Sequence, residues 1–77
     1  MIPTNGAERR RSLLERMEWF IRDYVRQRGY APTYREIGRE VGVNSTSLIS
    51  TYLSILEKRG VIRRHKGVAR GIVVIDG

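Results

Sequence analysis

Cysteine is absent from this chain, which excludes a disulfide framework and a thiolate metal site. Long apolar runs are also missing. The longest, Ile72-Val73-Val74-Ile75, is far too short to cross a bilayer, and Met1 to Arg11 holds no apolar stretch of the kind that opens a secretory signal. Acidic side chains are scarce, 8 against 15 lysines and arginines, so the formal net charge is +7. The single histidine, His65, stands among basic residues. Asp23, Asp76 and the glutamates do not recur at metal-ligand spacing. No catalytic constellation, metal or cofactor is therefore expected. What remains is a small basic chain suited to an anionic partner, with no membrane segment and an expected place in the cytoplasm.

What the chain does contain is helical periodicity followed by a basic hairpin. Its 77 residues allow one domain, in which every apolar face is needed to build a core. Met1 to Ala7, with Pro3, Asn5 and Gly6, has no periodicity and reads as a flexible arm, leaving residues 8–77 for the domain. Leu13, Leu14, Met17, Phe20, Ile21, Tyr24 and Val25 form one stripe at helical spacing, which predicts a first helix over Glu8 to Arg28, capped by Gly29. Trp19 falls on the opposite, polar side. It is expected to be exposed, stacked under Arg22 or Arg26 or kept for a partner. Ala31-Pro32 forces an extended link. Thr33, with Glu36 three residues on, forms a capping box for a second helix that ends at Gly42. Ile37 and Val41 are its buried face, and Gly38 beside them lets another helix come close.

Asn44 or Ser45 caps a third helix running to Arg59. Ile49, Tyr52, Leu53 and Leu56 are its core stripe. Its other side carries Ser47, Ser50, Thr51 and Ser54, with Leu48 and Ile55 at the boundary. Small hydroxyls are poorer helix formers than Glu, Lys or Gln, so this face suits a helix that must lie close to another surface. Val61 to Arg64 and Gly71 to Ile75 read as strands around a loop at His65 to Arg70, where Gly67 and Gly71 supply backbone freedom. The chain is thus expected to be mainly α with a small β-hairpin, a three-helix winged helix-turn-helix. Basic residues cluster on its hairpin and again at Arg9, Arg10 and Arg11, the footprint of phosphate binding.

Gly29-Tyr30-Ala31-Pro32-Thr33-Tyr34-Arg35-Glu36-Ile37-Gly38, Val41-Gly42-Val43, and Leu56-Glu57-Lys58-Arg59-Gly60-Val61-Ile62-Arg63-Arg64 with Ala69-Arg70-Gly71-Ile72 resemble the N-terminal DNA-binding domain of the LexA repressors. The likeness covers about residues 12 to 75. It implies that Ser45, Thr46, Ser47, Leu48, Ser50 and Thr51, with Ser54 further along the same face, turn toward base edges in the major groove. Tyr34 and Arg35 would clamp the DNA backbone, and Arg63, Arg64, Lys66 and Arg70 would place the wing on phosphates or in the minor groove. The partner implied is double-stranded DNA with a palindromic operator, bound by a repressor of DNA-damage genes in the bacterial nucleoid. The chain alone is expected to be a monomer, because no apolar patch is left over for pairing, and to be dimeric on DNA or in the full repressor. The family's C-terminal half, a self-cleaving Ser/Lys peptidase that also carries the dimer interface, has no counterpart in these residues, so an excised domain or a short natural relative is implied. The third helix begins Ser45-Thr46-Ser47-Leu48, where the family often carries Asn or paired acids, so no known member's operator transfers. Two other readings stand beside this one: a stand-alone phage or mobile-element regulator, and a winged helix used for protein contacts.

Overall fold

The computed structural model describes the backbone of residues 6–75 and the side chains of residues 13–75. Three helices come first, α1 (Gly6–Arg28), α2 (Tyr34–Val41) and α3 (Thr46–Lys58), and two strands follow, β1 (Ile62–Arg64) and β2 (Ile72–Val74). The fold is the three-helix winged helix-turn-helix expected from the order of elements. Of the expected arm, residues 1–5 lie outside the described residues, as do the side chains of Arg9, Arg10 and Arg11. The first helix starts at Gly6, two residues before the expected Glu8. Ala7 and Glu8 are strong helix formers and extend it toward the N-terminus.

Each helix is bounded by local chemistry. Thr33 is extended at φ −81°, ψ 165° and closes a reciprocal capping box with Glu36. Ser45 rather than Asn44 caps α3, its hydroxyl accepting from the Leu48 N–H at 3.2 Å. Between them Gly42 takes the left-handed φ of 80° and, with Val43, donates to the Gly38 carbonyl, both at 2.8 Å. This sharp corner presses on α2. A Cβ on Gly38 would stand 2.4 Å from the Val43 carbonyl oxygen and 3.7 Å from the Ile49 side chain. The close neighbour of Gly38 is therefore mainly the turn's backbone, not the body of another helix.

The core draws on every element: Met17 and Ile21 from α1, Ile37 and Val41 from α2, Ile49, Leu53 and Leu56 from α3, and Ile62 and Ile72 from the strands, with Ala31 in the link. Contacts run α1 to α2, α2 to α3, α3 to β1, β1 to β2 and β2 back to α1, so the hairpin closes a ring around the core. The strands are antiparallel, pairing Ile62 with Val74, Arg63 with Val73 and Arg64 with Ile72. They are shorter than expected. Gly67 has the positive φ of 76° that a turn asks of glycine, whereas Gly71 is required for space: a Cβ there would meet the His65 and Val68 carbonyl oxygens at 2.7 and 2.9 Å.

Trp19 lies off the core as expected and is 64% exposed, beside a shallow cleft with Glu15, Arg16, Phe20 and Glu40. The Arg22 and Arg26 guanidiniums are drawn to Glu18 at 3.2 Å and Asp23 at 3.7 Å, their neighbours about one turn back. No described helix is long and apolar enough to cross a membrane.

Candidate nucleic-acid interface

The helix caps and the corner set where the hydroxyl-rich face of α3 points. Ser45, Thr46, Ser47, Leu48 and Thr51 are exposed, and Leu48, at 42%, is not part of the core. The Thr51 hydroxyl donates to the Ser47 carbonyl at 3.1 Å, one turn back. Its methyl and lone pairs are what it offers outward. Ser50 and Ser54 sit lower on the helix, half-buried against the hairpin.

A groove of about 770 Å³ runs between the start of α2, the side of α3 and the wing. Six of the residues expected at the interface line it together: Tyr34, Arg35, Thr46, Ser50, Arg64 and Lys66. Arg35 and Lys66 are exposed there. Thr33, Glu57, His65 and the wing tip at Gly67, Val68 and Ala69 complete the wall. Of these, Thr33 and Glu57 were not legible as interface residues. Glu57 sits one turn after Ser54 on the face that meets the wing, and that spacing is the only sequence signal that could have marked it.

The wing's four basic residues do not act alike. Lys66 is at the exposed tip. Arg63 is exposed on the outer face of the hairpin, paired across the strands with Val73 and turned away from the groove. Arg64 faces inward. Its Nε donates to Glu57 at 2.9 Å, and its backbone N–H donates to the same carboxylate at 3.2 Å. Nη1 donates to the Tyr34 and Ser50 hydroxyls, each at 3.1 Å, and Nη2 to the Ser54 hydroxyl at 2.8 Å. The guanidinium thus ties α2, α3 and β1 at one point. Its burial works against the charge, but the Tyr34 hydroxyl and Glu57 outweigh burial and raise its pKa. Its hydrogen bond holds the Glu57 carboxyl below the usual range, against some desolvation.

Arg70 is not brought to the groove. Its guanidinium crosses to the other side of the wing and donates to both Glu36 oxygens, at 2.9 and 3.1 Å, to the Ala31 carbonyl at 2.9 Å and to the Tyr24 hydroxyl at 3.3 Å. It also lies 4.9 Å over the Tyr30 ring. Such a bidentate pair is the strong geometry for arginine and a carboxylate. Glu36 therefore does two jobs: it caps α2 through the Thr33 N–H at 2.8 Å and anchors the end of the wing.

Arg70's hydrogen bond first, then that of the Thr33 N–H, lower the Glu36 pKa from 4.5 to about 2. A carboxylate depressed in the folded state stabilises fully above its unfolded value. That contribution is lost as pH falls from about 4.5 toward 2 and is absent below both values. Glu36→Gln is expected to remove this part of the acid limb. Denaturant unfolding at steps between pH 5 and 2 checks it: the parent-minus-variant difference should shrink as pH falls, and a difference independent of pH would refute the assignment.

Among the described residues no group of three His, Asp or Glu side chains could hold a metal ion. The arrangement is instead an open, partly basic groove beside a helix of exposed hydroxyls.

Comparison with known proteins gives the same direction. Residues 5–71 match the LexA DNA binding domain family. A LexA repressor of Pelotomaculum thermopropionicum is 49% identical over 57 residues, which cover 74% of this chain and 28% of that protein. One from Exiguobacterium is 50% identical over 56 residues, 73% of this chain and 27% of that protein. LexA repressor 1 of Nocardia farcinica is 48% identical over 66 residues, 86% of this chain and 29% of that protein. The chain spans less than a third of the length of these curated relatives.

Proposed function

Because the chain belongs to the LexA DNA-binding domain family, we propose that it binds double-stranded DNA sequence-specifically as the reading head of a transcriptional repressor of DNA-damage genes. The observation that carries this reading is the groove that Thr46 and Ser50 of α3 share with the cations Arg35 and Lys66, on the same helix as the exposed Ser45, Ser47, Leu48 and Thr51. In this reading the start of α3 lies in the major groove, where Ser47, Leu48 and Thr51 meet base edges and the Thr51 and Leu48 methyls meet thymine methyls. Arg35, Lys66 and, from the outer face of the wing, Arg63 meet phosphates. Arg64 and Arg70 hold the wing in place. Each copy takes one half-site of a palindromic operator, and copies pair on the DNA or within the complete repressor. No catalytic role is assigned to these residues. The site of action is the bacterial nucleoid.

The hydroxyl face also weighs against a protein-interaction module, since such interfaces rely on aromatic and arginine anchors at their centre. Salt titration of binding to a random-sequence duplex tests the reading. Affinity should fall linearly on a log–log plot, and Lys66→Ala should flatten the slope by about 0.9 while weakening all sequences alike. Ser47→Ala should instead change which bases win in selection from a random pool, by roughly 1–3 kcal/mol at the affected position. A parent chain that ignores duplex DNA at low salt refutes the proposal. A Lys66→Ala variant with parental affinity and slope refutes the wing's part in it.

A further inference from the structure

Besides Thr46, three hydroxyl-bearing side chains line the groove, Thr33, Tyr34 and Ser50. Each already accepts a hydrogen bond from within the protein. Thr33 Oγ1 takes the Glu36 N–H at 3.1 Å. Tyr34 Oη and Ser50 Oγ both take Arg64 Nη1, each at 3.1 Å. A guanidinium has donors only, so neither the tyrosine nor the serine proton can point back along its bond. Among the described residues no acceptor receives the three hydroxyl protons, which are left for the groove.

Arg64 holds this arrangement because Glu57 holds Arg64. The carboxylate takes Nε and the Arg64 backbone N–H, so both Nη atoms are left to face the hydroxyls. Each Glu57 oxygen thereby accepts one hydrogen bond from Arg64, and the ion pair offsets the carboxylate's charge. Beside that pair, the three remaining hydroxyl protons and the cations Arg35 and Lys66 supply the groove with donors. A base edge mixes donors and acceptors, whereas a backbone phosphate presents acceptors alone and a negative charge. The lining matches the second.

We infer that Thr33, Tyr34 and Ser50 form a phosphate site in this groove, and that Arg64 and Glu57 are positioning residues that fix the hydroxyls as donors without touching the nucleic acid. The inference rests on the DNA-binding reading and deepens it. Arg64 becomes a residue that orients contacts instead of making one, and Ser50 becomes a backbone contact instead of a reader of bases.

The test is fluorescence anisotropy of the whole chain with a random-sequence duplex across a sodium chloride series. Tyr34→Phe and Ser50→Ala should each weaken binding roughly tenfold, the worth of a hydrogen bond to a charged group. The salt slope should stay parental, because a hydroxyl displaces no counterion. Arg64→Gln should weaken binding and also abolish the effect of Tyr34→Phe, so that the double variant binds no worse than Arg64→Gln alone. A merely structural Arg64 would leave the Tyr34→Phe loss intact in that background, which would overturn the positioning role. Should Arg64→Gln fail to fold, Arg64→Lys takes its place in the cycle. Tyr34→Phe and Ser50→Ala variants that bind like the parent overturn the phosphate site. A parent that does not bind the duplex overturns the DNA reading itself.

Discussion

Gly38→Ala should destabilise the domain by about 2 kcal/mol, even though alanine is worth nearly 1 kcal/mol more than glycine inside a helix. The added methyl would stand 2.4 Å from the Val43 carbonyl oxygen. That oxygen cannot step aside freely. The Gly42 and Val43 N–H groups both bond to the Gly38 carbonyl at 2.8 Å, so the turn is pinned to the same residue that would be pushing it away. Relief requires opening the corner, which shifts α3 against α2 and disturbs Ile37 and Ile49 beneath it. The steric term therefore outweighs the propensity term. Denaturant unfolding checks the sign: an alanine variant as stable as the parent would show that the corner is looser than described.

Leu53→Ala should cost more, about 3–4 kcal/mol, by removing a fully buried side chain from the centre of the core. A chain of 77 residues has a total stability of roughly 4–12 kcal/mol at typical values per residue. The substitution thus removes a large share of it and should move the unfolding midpoint sharply toward native conditions. Leu53→Met, which nearly conserves volume, should stay within about 1.5 kcal/mol. Equal losses in the two variants would mean that Leu53 is not packed against α1, α2 and the wing as the core requires.

Local patterning made most of this fold readable. The stripe through Met17 and Ile21, the Thr33–Glu36 capping box and the Ile49–Leu53–Leu56 stripe are each set by residues within a turn or two of one another, and each element stands where its pattern put it. What could not be read was the fate of charges paired at a distance. Arg64 meets Glu57 seven residues back, and Arg70 meets Glu36 thirty-four residues back. On the chain both arginines look like their neighbour Lys66, because nothing in a basic run says which side chain turns inward. The pleat of β1 sends Arg63 to the outer face and Arg64 to the inner one, and Arg70 lies on neither strand. The same limit applies to Ser50 and Ser54. A helical wheel puts them on the polar face with Ser47, but only the position of the wing shows that they serve it.

A hairpin with three residues in each strand is marginal in water by itself. Here Arg64 fastens its first strand to α2 and α3, while Arg70, at the mouth of its second, fastens it to the α1–α2 junction. Ile62 and Ile72 complete the same core as the helices. The strands therefore cannot fray without breaking those ties and uncovering that core. Local opening of the wing and global unfolding become one event, and only its tip, Lys66 to Ala69, is left outside the cooperative unit.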